Sequence, residues 1–501
     1  MKDVDAPDFT LGVIGAGAMG SGIAQVALVG SIRVIQFDAN REMLPKARDG
    51  IFARLDRLVE KGELAADAAA AAKGRLTIAD DIAAFAPCDA VVEAIVENID
   101  VKREVFRKLE EIVAEDAILA SNTSSLPIAS IAQACRHRGR IAGLHFFNPV
   151  PLMRLVEVIE AADTEPAVGE ALMRLGRRLG RTPVRVKDAP GFLVNLGGRA
   201  YTTEALHILQ EGAATVDDVD AVMRDCWGFR MGPFELMDLT GIDVNYPVSR
   251  IIFEGYWYDP RLKTTPLHGA LAQAGRLGRK TGAGFHRYDA QGKKIALPEP
   301  PENGAKPPAQ IVLPESDDRL VSFAVAAGVG TSAQDDGTSP VVVAPLGEDC
   351  TAACVRLSTD PRRTVAVDLT GDVSRRVTIM TAPGAGEAAR DAVAALFRAA
   401  GRAVTRIEDC PGFIGQRIVA AVANLGCEMA QMRLASPEDI DTAMRLGLNY
   451  PMGPLAMADR VGVEATYRIL LRLQEITGSD RYRPSLWLRR RALLNLPASA
   501  A

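Results

Sequence analysis

The N-terminal part of the chain alternates between short apolar runs and helix-length segments. Apolar runs lie at 11–14, 32–37, 90–96, 117–120 and 141–144. The segments between them place apolar residues at helical spacing, as after Gly20. This alternation predicts an α/β domain with a doubly wound, mainly parallel sheet of the Rossmann type, which we expect to span residues 1–187.

A long helical stretch between residues 41 and 82 delays the return of the chain to this sheet. We expect it to form an inserted helical hairpin. Basic residues are frequent along it: Lys46, Arg48, Arg54, Arg57 and Lys61.

From Asp188 onward the pattern becomes helical, broken by PGF, MGP and TG turns, which predicts an all-α domain over residues 188–288. Residues 289–310 are rich in proline and poor in large apolar residues, which predicts a linker.

The helical pattern then occurs a second time. Pro190-Gly191-Phe192 recurs as Pro411-Gly412-Phe413, and Asp238 and Gly241 recur as Asp459 and Gly462, always 221 residues later. We therefore expect residues 406–501 to form a second all-α domain that repeats residues 188–288. Strand-like runs in between predict a degenerate Rossmann-like segment over residues 311–405. No glycine-rich turn occurs there and no histidine follows His286, so we expect the second half to be structural.

Composition excludes several classes of protein. The 501 residues are 48% hydrophobic and 24% charged with a net charge of -5, and no run reaches 18 apolar residues. Neither nucleic acid nor a membrane is expected as a partner. The first residues lack the basic start and apolar run of a signal peptide, so we expect a cytoplasmic protein. The seven cysteines form no CxxC pair, and we expect no disulfide framework and no metal site.

A glycine motif indicates a dinucleotide site. Gly15, Gly17 and Gly20 spell G-x-G-x-x-G between a predicted strand and a predicted helix, whose N-terminus favours phosphate groups. Asp38 ends the next strand, where its carboxylate would bind the ribose diol of NAD and repel the 2′-phosphate of NADP. A structural glycine turn with a surface aspartate is the alternative, and the nearby Arg41 leaves NADP open.

Two further segments carry candidate chemistry. His145 follows the apolar run IAGL, so it lies at the carboxyl end of a predicted strand, and imidazole suits a general base near neutral pH. Glu157 lies in the alternating run RLVEVIE and would fix the tautomer of a nearby histidine. Taken alone, a structural histidine and a solvated strand face explain these residues as well.

Seven motifs in series resemble the L-3-hydroxyacyl-CoA dehydrogenase family. The resemblance runs from about residue 10 to residue 288, and residues 406–501 resemble the second helical domain of its longer members. The motifs are, in order, GAGAMGSGIA, VVEAIVEN, NTSSLPI, HFFNPVPLMRLVEV, PGFLVN, MGPFELMD and GRKTGAGF.

The resemblance implies roles for individual residues. His145 would be the catalytic base and Glu157 its partner, while Ser124 and Asn195 would hold the substrate and complete the catalytic set. Without the resemblance, Ser124 and Asn195 would pass for a turn residue and a helix amide. Lys61 would meet the phosphates of CoA, although a solvated helix face also explains it. The motif and the resemblance together assign these residues to NAD: Gly15, Ala16, Gly17, Ala18, Met19, Gly20, Asp38, Glu97, Lys102, Asn122, Asn148 and Lys280.

The implied activity is reversible, NAD-dependent oxidation of an L-3-hydroxyacyl-CoA to its 3-ketoacyl-CoA. Fatty-acid β-oxidation is one setting, and the step on 3-hydroxyadipyl-CoA in phenylacetate catabolism is another. The alternatives are a free hydroxy acid as substrate, as in carnitine and gulonate dehydrogenases, and a non-catalytic dinucleotide-binding protein. The helical domains of short members dimerise, which implies an internal pseudo-dimer here and leaves a homodimer open. The hairpin position that often holds a CoA-binding serine in the family is Arg54 in this sequence.

Overall fold

The computed structural model describes residues 1–296 and 304–500. Residues 297–303, part of the predicted linker, lie outside the described residues. The chain divides into two compact units. The first comprises Met1–Leu196 and Arg433–Leu448, and the second comprises the described residues from Gly197 to Met432 and from Asn449 onward.

The first unit is built on an eight-stranded sheet. Its strand order is β3-β2-β1-β4-β5-β6-β7-β8, and all neighbours are parallel except β6 and β7. The strands are β1 (Thr10–Ile14), β2 (Arg33–Phe37), β3 (Leu76–Ile78), β4 (Ala90–Glu93), β5 (Ile118–Ser121), β6 (Ile141–Phe146), β7 (Leu155–Glu160) and β8 (Thr182–Lys187).

Helices cover this sheet and bury its apolar residues in one core that includes Leu11, Val34, Val92 and Leu144. The predicted insertion forms α2 and α3. The helices that begin within residues 1–196 are α1 (Ala18–Val29), α2 (Met43–Glu60), α3 (Ala66–Gly74), α4 (Ile99–Ile112), α5 (Ile128–Ala132), α6 (Pro166–Arg178) and α7 (Val194–Gly197).

The second unit begins with the first helical repeat. Its helix α9 starts at a capping box formed by Thr215 and Asp218 and ends at Gly228, whose φ of 75° suits glycine at a helix C-terminus. The helices are α8 (Arg199–Gln210), α9 (Val216–Trp227), α10 (Pro233–Thr240), α11 (Ile242–Gly255) and α12 (Pro266–Gln273).

A second, six-stranded sheet follows in the order β10-β9-β11-β12-β13-β14, with β12 and β13 antiparallel. It has a hydrophobic core of its own. Its strands are β9 (Gln310–Val312), β10 (Gly330–Ser332), β11 (Val341–Val343), β12 (Thr364–Asp368), β13 (Arg376–Thr381) and β14 (Ala403–Ile407), and its helices are α13 (Asp318–Ala326), α14 (Cys350–Leu357) and α15 (Glu387–Ala399).

The second helical repeat is shared between the two units. Its helices are α16 (Gly415–Gln431), α17 (Pro437–Leu448), α18 (Pro454–Val461), α19 (Val463–Thr477) and α20 (Leu486–Leu494). Helix α17 belongs to the first unit, where it packs on β7 and β8, while the other four belong to the second unit.

The predicted fold class is confirmed: a Rossmann-type sheet, an all-α domain, a degenerate α/β segment and a second all-α domain. All seven cysteines are buried and free. Among the described helices, none is long and apolar enough to cross a membrane.

Candidate active site

The glycine turn between β1 and α1 has the geometry of a phosphate cradle. Gly15 has a φ of 112°, and a side chain there would collide with the carbonyl of Ala94. A side chain at Gly20 would collide with the carbonyl of Gly15, so this glycine allows helix and strand to pack closely. At Gly17 no atom lies within 4 Å of an added Cβ, and no side chain caps the helix that follows. Open space therefore faces N–H groups at Gly17, Ala18 and Met19 that have no partner in the described part of the chain, and the turn fits the pyrophosphate of a dinucleotide.

Asp38 follows β2 and is hydrogen-bonded to the turn. Its Oδ2 accepts from the backbone N–H of Ala16 at 2.7 Å, and its Oδ1 accepts from that of Asn40 at 2.8 Å. The guanidinium of Arg41 donates to the carbonyl of Asp80 at 3.1 Å. The carboxylate thus stands beside the turn, where NAD carries its ribose diol.

His145 and Glu157 form a buried pair on the antiparallel strands β6 and β7. They are direct partners in the strand register, and Nδ1 of His145 lies 2.6 Å from Oε2 of Glu157. The other carboxylate oxygen of Glu157 accepts from the backbone N–H groups of Leu193 and Val194 at 3.1 and 2.8 Å. Among the described residues, Nε2 of His145 has no hydrogen-bond partner. This arrangement fixes the ring and leaves one nitrogen for a substrate.

Glu97, Ser124 and Asn195 form a second connected group. Oε1 of Glu97 accepts from Oγ1 of Thr123 at 2.6 Å and from the backbone N–H of Ser124 at 3.0 Å. Nδ2 of Asn195, on α7, donates to the carbonyl of Ser124 at 3.3 Å. Burial disfavours ionisation of Glu97, but the bond from Thr123 and the charge of Lys102 outweigh it and hold the pKa of Glu97 below its ordinary value.

Lys102 is almost completely buried on α4. Its Nζ lies 2.6 Å from Oε1 of Glu93 and 3.4 Å from Oε2 of Glu97. Lys102 therefore contacts Glu97 and holds that carboxylate in place. The sequence assigned Lys102 to NAD and did not predict this buried ion pair.

The remaining predicted residues are spread more widely. Oδ1 of Asn122 accepts from the backbone N–H of Phe146 at 2.8 Å, which joins the ends of β5 and β6. Asn148 lines a cavity beside the glycine turn. Lys280 belongs to the second unit, where its Nζ lies 2.6 Å from Oδ2 of Asp243.

That cavity has a volume of about 530 Å³ and extends from Gly17 to the helical hairpin. Four cations of α2 and its C-terminus line it, and none of the residues described around it is acidic. Nε of Arg54 donates to Oε1 of Gln25 on α1. The four cations are Lys46, Arg54, Arg57 and Lys61.

Several residues of the site have no place in the sequence prediction. Glu93 ends β4, is fully buried and accepts from Oγ of Ser121 at 2.6 Å as well as from Lys102. A carboxylate within the apolar run 90–96 is the signal that could have identified it. Backbone donors such as Leu193 and Val194 have no signal in the sequence. Outside this site, in the second unit, Nε2 of His286 lies 2.7 Å from the buried Oδ2 of Asp220.

The glycine cradle, Asp38 and the buried histidine–carboxylate pair at the carboxyl ends of the strands define a Rossmann-fold dehydrogenase that uses NAD. Comparison with known proteins identifies the family. The 3-hydroxyacyl-CoA dehydrogenase NAD-binding domain matches residues 10–189, and the C-terminal domain of the same family matches residues 191–288 and again 412–498. The reduced Rossmann-fold domain of 3-hydroxybutyryl-CoA dehydrogenase matches residues 350–411.

Individual relatives agree with these matches. The chain is 38% identical to the 3-hydroxyadipyl-CoA dehydrogenase of Escherichia coli K12, over 97% of this chain and 98% of that protein. It is 41% identical to the human mitochondrial hydroxyacyl-coenzyme A dehydrogenase, over 55% of this chain and 90% of that protein. The crystal structure of an E. coli 3-hydroxybutyryl-CoA dehydrogenase superposes with a TM-score of 0.85 at 37% identity, covering 97% of this chain and 98% of that one.

The chain belongs to the 3-hydroxyacyl-CoA dehydrogenase family, as a long member with two helical domains. It is an NAD-dependent oxidoreductase that interconverts 3-hydroxyacyl-CoA and 3-ketoacyl-CoA.

Proposed function

We propose that His145 is the general base of this reaction, with Glu157 as its partner. The observation that carries the proposal is the buried contact of 2.6 Å between Nδ1 of His145 and Oε2 of Glu157. Nε2 takes the proton of the 3-hydroxyl group as the C3–H bond breaks and the carbonyl forms. NAD, when bound, accepts the hydride. The carboxylate of Glu157 stabilises the imidazolium and keeps the ring in one tautomer.

Ser124 and Asn195 hold the substrate in this proposal. The hydroxyl of Ser124 hydrogen-bonds the 3-oxygen, and Asn195 is placed beside it by its bond to the carbonyl of Ser124. Glu97 fixes the loop that carries Ser124 through the backbone N–H groups of Ser124 and Ser125, each at 3.0 Å. The same loop contributes Asn122 to the NAD side of the site.

The cofactor assignment rests on the first unit. The glycine turn receives the pyrophosphate, Asp38 the adenosine ribose, and Asn148 lies in the adjoining cavity. Lys102 acts through Glu97, to which it is ion-paired. Lys280 remains a proposal drawn from the family motif alone.

The cationic hairpin favours a CoA thioester over a free hydroxy acid. Lys61, Arg54 and their two basic neighbours surround the cavity without any acidic residue among its described lining. Phosphate groups are strong acceptors for such cations, and arginine binds them in a bidentate way. A short free acid offers this surface a single carboxylate, whereas CoA offers several phosphate groups.

We propose 3-hydroxyadipyl-CoA as the preferred substrate, because a relative matched over 97% of this chain and 98% of its own length is named for it. The test is NAD reduction with a panel of purified 3-hydroxyacyl-CoA thioesters. We expect turnover of all CoA esters and a kcat/KM at least about tenfold higher for the adipyl ester than for the butyryl ester, roughly 1.4 kcal/mol. Preferred turnover of free 3-hydroxy acids would contradict the proposed substrate class.

We also propose that the two helical repeats pair as an internal pseudo-dimer. Support comes from a buried cluster in the second unit, where α8 packs on α16. Nε of Arg417 lies 2.6 Å from Oε1 of Glu204, Nε of Arg481 lies 2.5 Å from Oε2 of Glu204, and Arg417 also reaches Glu211. The division into domains at 187, 288, 310 and 405 is part of this proposal.

A further inference from the structure

A helix from the second repeat packs against the strand that carries Glu157. Helix α17 belongs to the first unit, where it contacts β7, the strand of Glu157, and its neighbour β8. The segment is fixed at its start by a hydrogen bond of 2.9 Å from the backbone N–H of Lys187 to the carbonyl of Leu434. The second half of the chain, which has no histidine of its own, therefore supplies part of the catalytic unit.

The contact is made through Gly447, near the C-terminal end of α17. A Cβ added at Gly447 would lie 2.9 Å from Cγ2 of Val194 and 3.0 Å from Cδ2 of Leu155. Both side chains are buried, at 2% and 0% exposure. Neither has much room to move away, because protein interiors are closely packed. Glycine is unfavourable within a helix, and here its absent side chain allows the close approach.

Of the two residues that a Cβ at Gly447 would meet, one bonds Glu157 and the other lies on the same strand. The backbone N–H of Val194 donates to Oε1 of Glu157 at 2.8 Å, and Leu155 lies two residues before Glu157 on β7. The other oxygen of Glu157 is the one that contacts His145. A displacement at Gly447 is thus transmitted to the carboxylate through one residue.

The repeat shows that this fit is specific to α17. With the offset of 221 residues, Gly447 corresponds to Cys226 and Val194 corresponds to Gly415. In the second unit the sizes are reversed, because a side chain at Gly415 would collide with the indole of Trp227 on α9. In the catalytic copy the residue on α17 is a glycine and its partner on α7 is the larger Val194. In the other copy the residues on α9 are the larger Cys226 and Trp227, and the partner on α16 is a glycine.

We propose that Gly447 is a positioning residue for the His145–Glu157 pair. The second helical repeat is then needed for the full rate of the reaction in the first unit. This rests on the proposed role of His145 and Glu157. Because α9 carries Cys226 and Trp227 where α17 carries Gly447 and Leu448, a second copy of the first repeat cannot take the place of α17.

The experiment compares Gly447→Ala with the wild-type full-length chain. The added methyl group displaces Val194, and we expect kcat to fall roughly 10–100-fold, since a misplacement of about 1 Å at a catalytic group has that effect. The dissociation constant for NADH, measured by fluorescence, should stay within about twofold, because the glycine turn is untouched.

Two further variants separate positioning from general damage. Val194→Ala combined with Gly447→Ala removes the nearer of the two side chains that the methyl group meets, and we expect kcat to return to within about threefold of wild type. Gly426→Ala is the matched control. A Cβ there would lie 2.6 Å from Pro454 in the second unit, so it should lower the melting temperature without changing kcat.

Wild-type kcat in Gly447→Ala, or no recovery in the double variant, would overturn the inference while leaving the proposed reaction intact. An equal loss of kcat in Gly426→Ala would also overturn it. If Gly447→Ala does not bind NADH, Val194→Leu is the alternative variant. It enlarges the residue on α7 that faces Gly447 and should show the same loss of kcat. Failure of the wild-type chain to oxidise any CoA ester would instead contradict the proposed function.

Discussion

At the scale of single residues, the first sheet carries two buried carboxylates, Glu93 at the carboxyl end of β4 and Glu157 within β7. Glu93 is neutralised by Lys102, and Glu157 is held by two backbone N–H groups and His145. A buried charge without a partner is strongly unfavourable, so the stability of these strand ends depends on each partner.

The Lys102–Glu93 pair yields a stability prediction. Lys102→Met removes one of two partners that are 1% and 0% exposed and leaves Glu93 without its counter-charge. We expect the free energy of unfolding to fall by about 3–5 kcal/mol, measured by urea denaturation at pH 7.

The matched control is Lys108→Met on the same helix. Its partner Glu104 and Lys108 itself are both more than half exposed, so the change should stay below about 1 kcal/mol. Similar losses of unfolding free energy in the two variants would show that burial does not make the Lys102–Glu93 pair more important for stability.

The sequence predicted the pairing of His145 with Glu157 because both residues lie in a long family motif, His145 after an apolar run and Glu157 in an alternating one. It did not predict the amides of Leu193 and Val194, since a backbone donor has no residue type of its own. It assigned Lys102 to NAD, whereas the burial of Lys102 beside Glu93, nine residues earlier, depends on how α4 packs on β4.

At the scale of elements, the contact between α8 and α16 is built from opposite charges supplied by different repeats. Glu204 and Glu211 lie on or next to α8, and Arg417 and Arg481 belong to the second repeat. The residues 221 positions from Glu204 and Arg417 are Leu425 and Leu196, so the charges are not repeated. Two identical first repeats could not form this cluster.

This cluster predicts a loss of stability in acid. Burial opposes ionisation of Glu204, but the charges of Arg481 and Arg417 outweigh it and lower the pKa of Glu204 to about 2, from 4.5. The folded chain then keeps Glu204 ionised where the unfolded chain is protonated. The stabilisation is present above about pH 4.5 and is lost as the pH falls toward 2, on the order of 3 kcal/mol in total.

Urea denaturation between pH 5 and 2.5 measures this effect (about four conditions suffice). In Glu204→Gln the dependence on pH should be shallower by most of that amount, because the titrating group is gone. Parallel pH profiles for wild type and variant would contradict the assignment of the shift to Glu204.

The helices and strands themselves were largely predictable. Buried strands of a parallel sheet appear in the sequence as apolar runs, and the helical pattern of residues 188–288 recurs 221 residues later. The position of α17 in the first unit was not predictable. Helix α17 has the same apolar pattern as α9, and the two helices differ in the small Gly447 that faces Val194.

At the scale of the whole molecule, the chain carries two related sheets but one His–Glu pair. In the second sheet the antiparallel strands β12 and β13 place Asp368 opposite Thr378, as β6 and β7 place His145 opposite Glu157. Neither Asp368 nor Thr378 can supply a neutral base like imidazole. All base-catalysed turnover should therefore depend on His145.

The most direct test is the kcat of His145→Gln in the full-length chain, measured by NAD reduction with a 3-hydroxyacyl-CoA. General-base catalysis contributes roughly 10²–10⁴-fold, and we expect kcat to fall by that factor while NADH affinity is retained. The exposed His137, changed to Gln, is the control and should keep wild-type turnover. A His145→Gln enzyme with near-normal kcat would contradict the assignment of the buried pair as the catalytic centre.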